Sequence, residues 1–582
     1  MRIVTWSLKW RLVLELTLGA TIFLTQASLM AQVSDTRPPK LASLSLSPLT
    51  VQVSAGPQPL ALSMNVTDDL TGVTLVKVTV ISPSGKQDQF ALLSLVAGDS
   101  LNGIWQGAIS MPQFSEAGLW QVKSVEVRDG VGNLARFDNS TMQTMAFPTE
   151  FTIVSSPEDL DPPQLTRINF ASPGGSPVDI STSDNTIIVT LDLSDNLSGV
   201  DFMTDRVSSF QMELRSPISS QLRPVANQDF TLVAGTARSG TWQAKLDLPR
   251  FSEEGLWFVS SLIISDHVNN KLFLTEADLV TKGFPANFAV KSAPSDTLPP
   301  ELLGVSFSPR LVDTLAGPDQ VVVTISASDD LSGINFSPDN PLISRFRGVS
   351  FTSPSGIQVQ SAGTFPPANL VSGNLRNGAW QTVVKFPQFS EAGVWKAKIF
   401  LQDVTNHETT IDDAELRNRT LPSDLVVVKP SRSIDGTVAD PAVGGAVEDE
   451  IFGARAEVRF PPKALRASTE VSIDVLQEPR DNQWQSGGSY PATHLVRFGL
   501  TPQFARSFQS PGLTVVLPLV KALIAGTPIE LFQLDRTTGN MVPAIGVDGR
   551  LVVGTADSSG MSATFSGVAR LPLLVGFTHS VH

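Results

Sequence analysis

The feature that most constrains this chain is an internal repeat that occurs three times. The three copies are residues 32–156, 157–293 and 294–430. Each copy opens on an Asp-x-x-Pro-Pro sequence, which starts at Asp35, Asp159 or Asp296. An Asp-rich turn, a Trp-Gln pair, a Phe-Ser-Glu segment and a second Asp-containing turn follow in the same order. A period of this length predicts that each copy folds as one unit with its own core.

Apolar and polar residues alternate within each copy, as they do in half-buried β-strands. In residues 186–195 the apolar positions are Ile187, Val189, Leu191 and Leu193. Residues 120–129 alternate similarly, with one break in phase. Turns rich in Gly, Pro, Asn and Asp separate these runs, which predicts about seven short strands per copy. No segment after the N-terminus has a helical period, so the chain is expected to be all-β.

Two Asp-containing turns recur in every copy. The first reads VTDDLTGV (66–73), LSDNLSGV (193–200) or ASDDLSGI (327–334). The second reads RDGVGN (128–133), SDHVNN (265–270) or QDVTNH (402–407). Together with the strand pattern and the Pro-Pro linkers, these turns resemble those of bacterial immunoglobulin-like repeats, with fibronectin type III-like architecture as a near neighbour. The resemblance implies three tandem β-sandwiches. Because Pro-Pro linkers restrict the backbone, we expect an extended, semi-rigid string.

Residues 431–582 do not continue the repeat and are expected to form a fourth domain. The segments that characterise it are VRFPPKAL (458–465), SPGLTVVLPL (510–519), IELFQLDRTTGNMVPA (529–544) and SATFSGVARLPLLVGF (562–577). They resemble the ZU-five domain shared by zonula occludens proteins, netrin receptors and ankyrins, which implies a further β-sandwich. Some relatives cleave themselves between Phe and Ser with the help of a preceding His. Thr564 stands at that position here, before Phe565 and Ser566, so we expect no cleavage.

The N-terminus has the pattern of a secretory signal over residues 1–31, with a basic start, an apolar run and a small residue at Ala31. The apolar run approaches the roughly 20 residues of a membrane span, so an uncleaved anchor is the alternative. No later stretch is as long and apolar, so we expect no other membrane span. The net charge of -14 disfavours nucleic acid as a partner, because an acidic surface repels phosphates.

No pattern of catalytic residues is recognisable. The chain has no cysteine, and none of its five histidines has the spacing of a zinc site or a catalytic triad. It also lacks a nucleophile elbow, a phosphate-binding loop and a dinucleotide fingerprint. We therefore expect a protein that is not an enzyme. The alternative is an enzyme with an unrecognised carboxylate site, which would need a deep cleft lined by two acids with raised pKa values.

The Asp-rich turns are the best candidates for specific chemistry. In an immunoglobulin-type sandwich the B–C and F–G loops lie at one end, where the N-terminal linker also enters. The candidate metal ligands are Asp68, Asp69, Asp129, Asp195, Asp266, Asp329, Asp330 and Asp403, joined by the linker residues Asp35, Asp159 and Asp296. The interpretation we favour is that Asp and Asn stabilise these turns through local backbone hydrogen bonds alone. The alternative is a metal site, for which calcium, with its about six to eight oxygen ligands, is the candidate cation.

Aromatic residues give a second set of candidates. The tryptophan pairs, each fifteen residues apart, are Trp105 and Trp120, Trp242 and Trp257, and Trp380 and Trp395. Their place in apolar strands predicts core packing rather than ligand stacking. The Phe-Ser-Glu segments are expected to form corners in which Glu accepts backbone hydrogen bonds. Trp484 and Tyr490, beside a glycine-rich loop, are the candidates for stacking on a sugar.

These features predict an exported structural, adhesion or binding scaffold of the bacterial cell surface, in the periplasm or secreted. Binding is expected through loops, with the terminal domain as an interaction module. A carbohydrate-binding accessory protein of the cell envelope is an alternative, and it would need an exposed aromatic strip on a sheet face. The expected partner is an unidentified protein or polysaccharide at the cell surface, since a sandwich fold by itself does not specify a ligand.

Overall fold

The structure is a computed structural model. It describes residues 34–202, 210–219, 221–314, 317–336, 347–362, 367–427, 430–451, 454–476, 489–501, 508–534, 541–571 and 573–579. The expected signal, residues 1–31, lies outside the described residues. Nearly all regular structure in the described part is β-strand, which confirms the all-β expectation.

The first repeat consists of nine strands and one short helix. They are Lys40–Ser47 (β1), Thr50–Gln52 (β2), Gln58–Thr67 (β3), Val73–Ile81 (β4), Asp88–Gly98 (β5), Asn102–Met111 (β6), Gly118–Asp129 (β7), Leu134–Asp138 (β8), Asn139–Thr144 (α1) and Glu150–Val154 (β9). One sheet has the order β1-β3-β6-β5, and the other has β5-β4-β7-β9-β2 with β8 paired to β7. The long strand β5 joins the two sheets because it pairs with β4 along its first half and with β6 along its second.

The second repeat has the same succession, except that two shorter strands take the place of the long strand β5. Its elements are Gln164–Ala171 (β10), Val178–Asp179 (β11), Asn185–Ser194 (β12), Phe210–Arg215 (β13), Leu222–Ala226 (β14), Thr231–Thr236 (β15), Ser239–Leu248 (β16), Gly255–Ser265 (β17), Lys271–Leu274 (β18), Glu276–Thr281 (α2) and Asn287–Lys291 (β19). A short 3-10 helix, Asn227–Asp229, separates β14 from β15. The sheets have the orders β10-β12-β16-β15 and β11-β19-β17-β13-β14.

The third repeat matches the second strand for strand. Its elements are Glu301–Ser308 (β20), Leu311–Val312 (β21), Asp319–Ser328 (β22), Gly348–Thr352 (β23), Val359–Ala362 (β24), Asn369–Asn374 (β25), Asn377–Phe386 (β26), Gly393–Gln402 (β27), Glu408–Ile411 (β28), Asp413–Asn418 (α3) and Asp424–Val427 (β29). The sheets have the orders β20-β22-β26-β25 and β21-β29-β27-β23-β24.

The strand order is that of an immunoglobulin constant-type sandwich. When the seven main strands are lettered A to G in chain order, the sheet β1-β3-β6-β5 becomes A-B-E-D and the strands β4-β7-β9 become C-F-G. The extra strands β2 and β8 raise the number above the seven expected. This topology places the B–C turn, the F–G connection and the N-terminal linker at one end of each repeat, which we call its top. The C–D and E–F turns lie at the opposite end, its base.

Each repeat has its own core, built around a buried tryptophan. Trp120, Trp257 and Trp395 have no exposed surface, and each donates its indole N–H, over 2.7–2.8 Å, to the carbonyl of the Glu four residues earlier. Burying such a large side chain while satisfying its one donor contributes both stability and a fixed orientation. The alternating segment forms β12 as predicted, except that Asp195 lies just beyond the strand, and its four alternating apolar side chains are buried.

The break in phase within residues 120–129 is a β-bulge. The pairing of β4 with β7 shifts between Thr79 and Val80, opposite residues 122–124. Because the bulge inserts one residue, Val122 and Val125 both point into the core and both are fully buried.

Three short helices were not expected from the sequence. α1, α2 and α3 occupy the same place in each repeat, between strands F and G, and each has six residues. Asp138, Thr275 and Asp412 cap them by accepting the backbone N–H of the residue three positions later. Each helix buries one residue, Met142, Leu279 or Leu416. Six residues make less than two turns, too short for a helical period to show in the sequence.

The fourth domain is a single long sheet that folds back on itself. Its strands are Pro430–Val438 (β30), Gly445–Ile451 (β31), Ala454–Phe460 (β32), Thr469–Leu476 (β33), Ser489–Pro491 (β34), Val496–Thr501 (β35), Leu513–Pro518 (β36), Pro528–Leu534 (β37), Met541–Pro543 (β38), Val553–Ala556 (β39), Ser562–Val568 (β40) and Leu573–His579 (β41). The order is β30-β33-β35-β41-β37-β39-β40-β36-β32-β31. Gly436 in β30 lies so close to Val447 in β31 that a Cβ would come within 2.7 Å of its side chain. The outermost strands therefore pack on each other around a separate core.

The three repeats contact one another top to base. At the junction of repeats 1 and 2, the backbone N–H of Asp159 donates to the carbonyl of Phe114 at 2.8 Å. The fully buried Gln87 donates through Nε2 to the Asp159 carbonyl at 2.6 Å and to Asn270 Oδ1 at 3.1 Å. Its Oε1 accepts the backbone N–H of Glu116 at 2.8 Å. One glutamine thus joins the base of repeat 1 to two segments of repeat 2.

The junction of repeats 2 and 3 is built in the same way. The N–H of Asp296 donates to the carbonyl of Phe251 at 2.8 Å. Gln221 Nε2 donates to the Asp296 carbonyl at 2.8 Å and lies 3.2 Å from Nε2 of His407. Gln221 Oε1 accepts the N–H of Glu253 at 3.0 Å. His407 therefore stands where repeat 2 has an asparagine.

A third junction of the same kind joins repeat 3 back to repeat 1. The N–H of Asp35 donates to the carbonyl of Phe389 at 2.8 Å. Gln358 Nε2 donates to the Asp35 carbonyl at 2.5 Å and to Asn133 Oδ1 at 3.0 Å, while its Oε1 accepts the N–H of Glu391 at 2.9 Å. Each base therefore binds the next top, and the last base binds the first top. The repeats form a closed ring.

The expectation of an extended string was therefore wrong for the three repeats. A head-to-tail contact that is repeated along a chain produces either an open filament or a ring, depending on the rotation at each step. The Pro-Pro linkers do restrict the backbone, but they seat each top on the preceding base. The rotation that closes three copies into a ring depends on the shapes of these surfaces and is not readable from the repeat pattern.

We expect Gln358→Ala to open the ring at the one junction that no linker spans. The substitution leaves Asn133 Oδ1 and the Glu391 N–H without their buried partner, and it removes one of the two donors to the Asp35 carbonyl. Each such group costs about 1–3 kcal/mol when it stays buried and unpaired. Small-angle X-ray scattering should then show a larger radius of gyration, with an unchanged circular dichroism spectrum.

Gln381→Ala is the matched control for this substitution. Gln381 is exposed on β26 and donates to Thr324 within its own repeat. The control should scatter like the wild type. A Gln358→Ala protein as compact as the wild type would contradict closure through this contact.

Candidate functional site: acidic clusters at the three junctions

The second repeat shows how the sequence assembles an acidic cluster. Asp159 lies in the linker before β10, Asp195 follows β12 in the B–C turn, and Asp266 follows β17 in the F–G turn. One carboxylate oxygen of each lies within 4.8 Å of the others, and all three side chains are buried. We call this group cluster 2. The linker and both turns meet at the top of the sandwich, as the sequence predicted.

Local hydrogen bonds hold these carboxylates in place. Asp266 Oδ1 accepts the backbone N–H groups of Val268 at 2.9 Å and Asn270 at 2.8 Å, and its Oδ2 accepts the Asn270 side chain at 2.8 Å. Asp195 Oδ2 accepts the N–H of Gly199 at 2.6 Å. The turn-stabilising bonds offered as the alternative to a metal are thus present. These bonds do not satisfy every oxygen of the cluster. Asp195 Oδ1 is buried and has no hydrogen-bond partner in the described part of the chain.

Cluster 1 comprises Asp35, Asp68 and Asp129, with one oxygen of each again within 4.8 Å of the others. Asp35 Oδ2 accepts the N–H and the hydroxyl of Thr71 at 3.0 and 2.6 Å. Asp129 Oδ1 accepts three successive backbone N–H groups, from residues 131–133, at 2.8–3.0 Å. Asp68 Oδ1 is buried and, within the described ranges, has no partner.

Cluster 3, at the top of the third repeat, is built differently. Oxygens of Asp296, Asp329 and Asp330 lie within 4.8 Å of one another, and a second such group joins Asp296 to Asp403 and His407. The F–G residue Asp403 is engaged by His407, whose Nδ1 lies 2.7 Å from its Oδ2. Asp329 Oδ1 is the buried oxygen without a partner among the described residues here.

Burial is the main influence on these carboxylates. It raises the pKa of Asp266 to about 7 and that of Asp129 to about 6, and the neighbouring aspartates add to the effect. Burial also raises the pKa values of Asp35, Asp195 and Asp329. All five carboxylates therefore bind a proton more readily than an exposed aspartate.

His407 is shifted by opposing influences. Burial by itself would lower its pKa, but the hydrogen bond to Asp403 and the negative charges of Asp403, Asp296 and Glu253 outweigh burial and raise the pKa. The imidazole thus supplies cluster 3 with a proton-binding group that the asparagines of the other junctions do not provide.

All but one of the predicted ligands lie in these clusters. The structure gathers Asp68 and Asp129 in cluster 1, Asp195 and Asp266 in cluster 2, and Asp329, Asp330 and Asp403 in cluster 3, each beside the linker aspartate of its repeat. Asp69 lies outside them, and its Oδ2 is 3.4 Å from Nη1 of Arg37. Calcium binding at these positions stays a prediction.

Sequence reasoning missed the glutamines that join the repeats. Gln87, Gln221 and Gln358 end a recurring Ser-Pro-x-x-x-Gln sequence in the turn after strand C: SPSGKQ (82–87), SPISSQ (216–221) and SPSGIQ (353–358). A polar residue in a turn is usually exposed, so its recurrence was the only signal. All three are fully buried.

The Phe-Ser-Glu segments form the expected corners. Glu116 accepts the backbone N–H and hydroxyl of Ser84 at 3.0 and 2.6 Å, and Glu391 accepts the same two bonds from Ser355. Glu253 instead accepts the backbone N–H groups of residues 218 and 219 and the hydroxyl of Ser216. The phenylalanines preceding them, Phe114, Phe251 and Phe389, have φ values of 71°, 74° and 65°. This left-handed conformation is uncommon for a bulky residue. The carbonyls of these same phenylalanines accept the linker N–H of the next repeat, so each corner also contacts the neighbouring repeat.

The aromatic candidates are core residues where the structure describes them. Trp105 and Trp380 are buried along with the three tryptophans of strand F, and Trp242 packs against its core while partly exposed. Core packing is thus confirmed. Trp484 and the side chain of Tyr490 lie outside the described residues.

Thr564, Phe565 and Ser566 lie in strand β40, where Thr564 pairs with Val516 of β36. The segment expected not to cleave is thus regular β-sheet. That its backbone stays intact remains an expectation.

A cavity of about 280 Å³ lies beside the junction of repeats 2 and 3. It is lined by Arg215, Ser219, Leu222, Thr297, Pro299, Asn406, His407 and Glu408. Within the described part of the chain, the aspartates with raised pKa values lie among loop amides and not in this lining. The cleft with two such acids that a carboxylate enzyme needs is not formed by this cavity.

Fold and site together define an all-β protein of tandem immunoglobulin-type sandwiches with acidic clusters at its junctions. A family model described as a domain of unknown function (DUF7743) matches residues 33–164, which is one repeat. No curated protein sequence matches the chain.

Solved structures offer only weak likenesses. Dimeric latent PorU from Porphyromonas gingivalis is 14% identical with a TM-score of 0.17, and the match covers 67% of this chain and 34% of PorU. A tetra-tandem repeat from the extending region of a large adhesion protein is 12% identical with a TM-score of 0.15, covering 90% of each chain. The SGBP-B protein of the Bacteroides ovatus mixed-linkage glucan utilization locus is 10% identical with a TM-score of 0.13, covering 93% of this chain and 100% of that one. The chain spans about a third of PorU, and scores this low carry no inference about function.

Among the described residues, no helix has the length and apolar character needed to cross a membrane.

We expect the repeats to lose stability as pH rises from about 5 to 8 when divalent cations are chelated. Unfolded aspartates titrate near pKa 3.9, whereas Asp266 and Asp129 titrate at about 7 and 6 in the folded protein. In this window the folded state binds more protons than the unfolded state, so the free energy of unfolding falls with rising pH, by a few kcal/mol. The raised pKa of His407 acts in the same direction.

Urea unfolding in EDTA, followed by tryptophan fluorescence at constant ionic strength, measures this dependence. Asp192→Asn is the control, because the pKa of that carboxylate is lowered by its hydrogen bond to Arg167 and it does not titrate in this window. The control should keep the wild-type slope. Stability that increased towards pH 8 would contradict the burial of these acids.

Proposed function

We propose that this protein is an exported, non-enzymatic binding scaffold of the bacterial cell surface. The observation that carries the proposal is the ring, in which three self-contained sandwiches use both of their ends to bind one another. Such an arrangement fixes the relative positions of the remaining surfaces. A scaffold that displays binding surfaces needs their relative positions to be fixed. It does not need a catalytic cleft.

The ring restricts where a partner can bind. The Asp-containing B–C and F–G turns lie at the junctions, so binding through these loops, as first expected, has lost its support. The sheet faces and outer edges of the repeats stay accessible, as does the fourth domain. Arg497 Nη1 of that domain lies 2.7 Å from Asp313 Oδ2 of repeat 3, which ties it to the ring. Its resemblance to the ZU-five domain supports a role as the interaction module.

The proposal is tested by following the full chain, tagged at its C-terminus, in a bacterial host. We expect the tag to fractionate with the envelope or the medium, and to be removed by protease added to intact cells. A chain that stays in the cytosol at full length would contradict export.

Assays with the purified chain then distinguish a binding scaffold from a carbohydrate-binding protein and from an enzyme. A binding scaffold should capture an envelope component through the fourth domain without altering it chemically. Retention on an insoluble polysaccharide would identify the partner as carbohydrate. Turnover of an envelope polymer by the purified chain would overturn the non-enzymatic proposal.

A further inference from the structure

Each acidic cluster contains one buried carboxylate oxygen that no donor in the described residues satisfies: Oδ1 of Asp68, Asp195 or Asp329. The side chains of Asp195 and Asp329 are only 9% and 7% exposed. Leaving a buried charged oxygen unpaired is costly, and such groups are normally paired or bound to a metal. The same carboxylate oxygen is unpaired in all three repeats, so its lack of a donor is a regular feature of the site. A buried anionic oxygen without a donor points to a ligand with positive charge.

The donor set of cluster 2 specifies the kind of cation. Its three ligands, Asp159, Asp195 and Asp266, offer carboxylate oxygens that lie within 4.8 Å of one another. Two oxygens bound to the same Ca²⁺ at about 2.4 Å can be at most about 4.8 Å apart, so the spacing suits a shared ion. The buried hydroxyl of Ser198, whose backbone N–H donates to Asp159 Oδ2 at 2.8 Å, likewise has no partner among the described residues and offers a further oxygen beside the cluster. An all-oxygen set on loops suits Ca²⁺ better than Mg²⁺, which demands near-ideal octahedral geometry.

The linker aspartates connect these clusters to the ring. The side chain of Asp35 belongs to cluster 1, while its backbone N–H and carbonyl are bound by Phe389 and Gln358 of repeat 3. Asp159 and Asp296 occupy the same double position at the other junctions. A cation that fixes the side chain of the linker aspartate therefore also fixes the peptide group that the neighbouring repeat binds.

We propose that each cluster binds one Ca²⁺ and that the three ions hold the ring closed. Clusters 1 and 2 use the aspartates of the linker, the B–C turn and the F–G turn. Cluster 3 uses Asp296, Asp329 and Asp330, because His407 already engages the F–G residue Asp403. The ion of cluster 1 matters most for closure, since no linker spans that junction. This proposal is independent of cellular location, so it can fail while the scaffold function stands.

Asp68→Asn compared with Asp69→Asn tests the proposal. The Asp68→Asn substitution keeps a side-chain oxygen that can accept the backbone N–H groups of Leu70 and Gly72, as Asp68 Oδ2 does at 3.2 and 2.7 Å. It removes the charge that a cation needs. Asp69→Asn makes the same charge change one residue away, at an exposed side chain outside the cluster.

Equilibrium dialysis of the purified full chain against ⁴⁵Ca²⁺ gives the number of ions bound. We expect three per chain for the wild type and for Asp69→Asn, and two for Asp68→Asn. Fewer than three in the wild type, or equal numbers in the two variants, would overturn the proposal. If Asp68→Asn melts below the wild type in EGTA, its fold is impaired, and Asp195→Asn then takes its place with the same expected loss of one ion.

Small-angle scattering tests whether the ions close the ring. The wild type and Asp69→Asn should be compact in 1 mM Ca²⁺, a concentration on the order of those at which extracellular calcium modules bind, and should expand in EGTA. Asp68→Asn should be expanded in both conditions. Identical scattering of the wild type with and without Ca²⁺ would show that the ring closes without the ions and would overturn the clamp.

Discussion

One buried glutamine side chain at each junction holds the ring together. Gln87, Gln221 and Gln358 each donate to the carbonyl of a linker aspartate, contact the Asn or His of the next F–G turn, and accept an N–H from their own repeat. Since none is exposed, these bonds depend on one another, and the junction forms as a unit. The linker, the acidic cluster and the Phe-Ser-Glu corner are all positioned around this amide.

Closure changes what the sandwiches can offer to other molecules. Both ends of every repeat are taken up by neighbours, which leaves the sheet faces and the edge strands. The edges β5, β15 and β25 each carry a bulge, at Val96, Val233 and Val371, where the pairing with the next strand shifts by one residue. Bulges interrupt the regular row of donors and acceptors that would otherwise recruit another strand. These three edges are thus protected against unselective strand pairing.

Much of this architecture could be predicted from the sequence, because alternation and turn chemistry are local. The core strand of residues 186–195, the buried Trp120 and the meeting of Asp159, Asp195 and Asp266 all follow from period-two patterns and sandwich topology. The three short helices could not be predicted because six residues are too few to show a helical period. The ring could not be predicted because its contacts are between repeats, and because its key residue is a glutamine in a turn, where such residues are usually exposed.

The distance between the top of repeat 1 and the base of repeat 3 tests the ring most directly. The chain has no cysteine, so Lys40→Cys with Ile357→Cys, both exposed, gives a unique pair of spin labels. Electron–electron double resonance should give a short, narrow distance distribution, because these residues flank the junction formed by Asp35 and Gln358. A broad distribution centred beyond about 60 Å would contradict the account, because in an open string these two ends are separated by three sandwiches with ten-residue strands, about 100 Å in all.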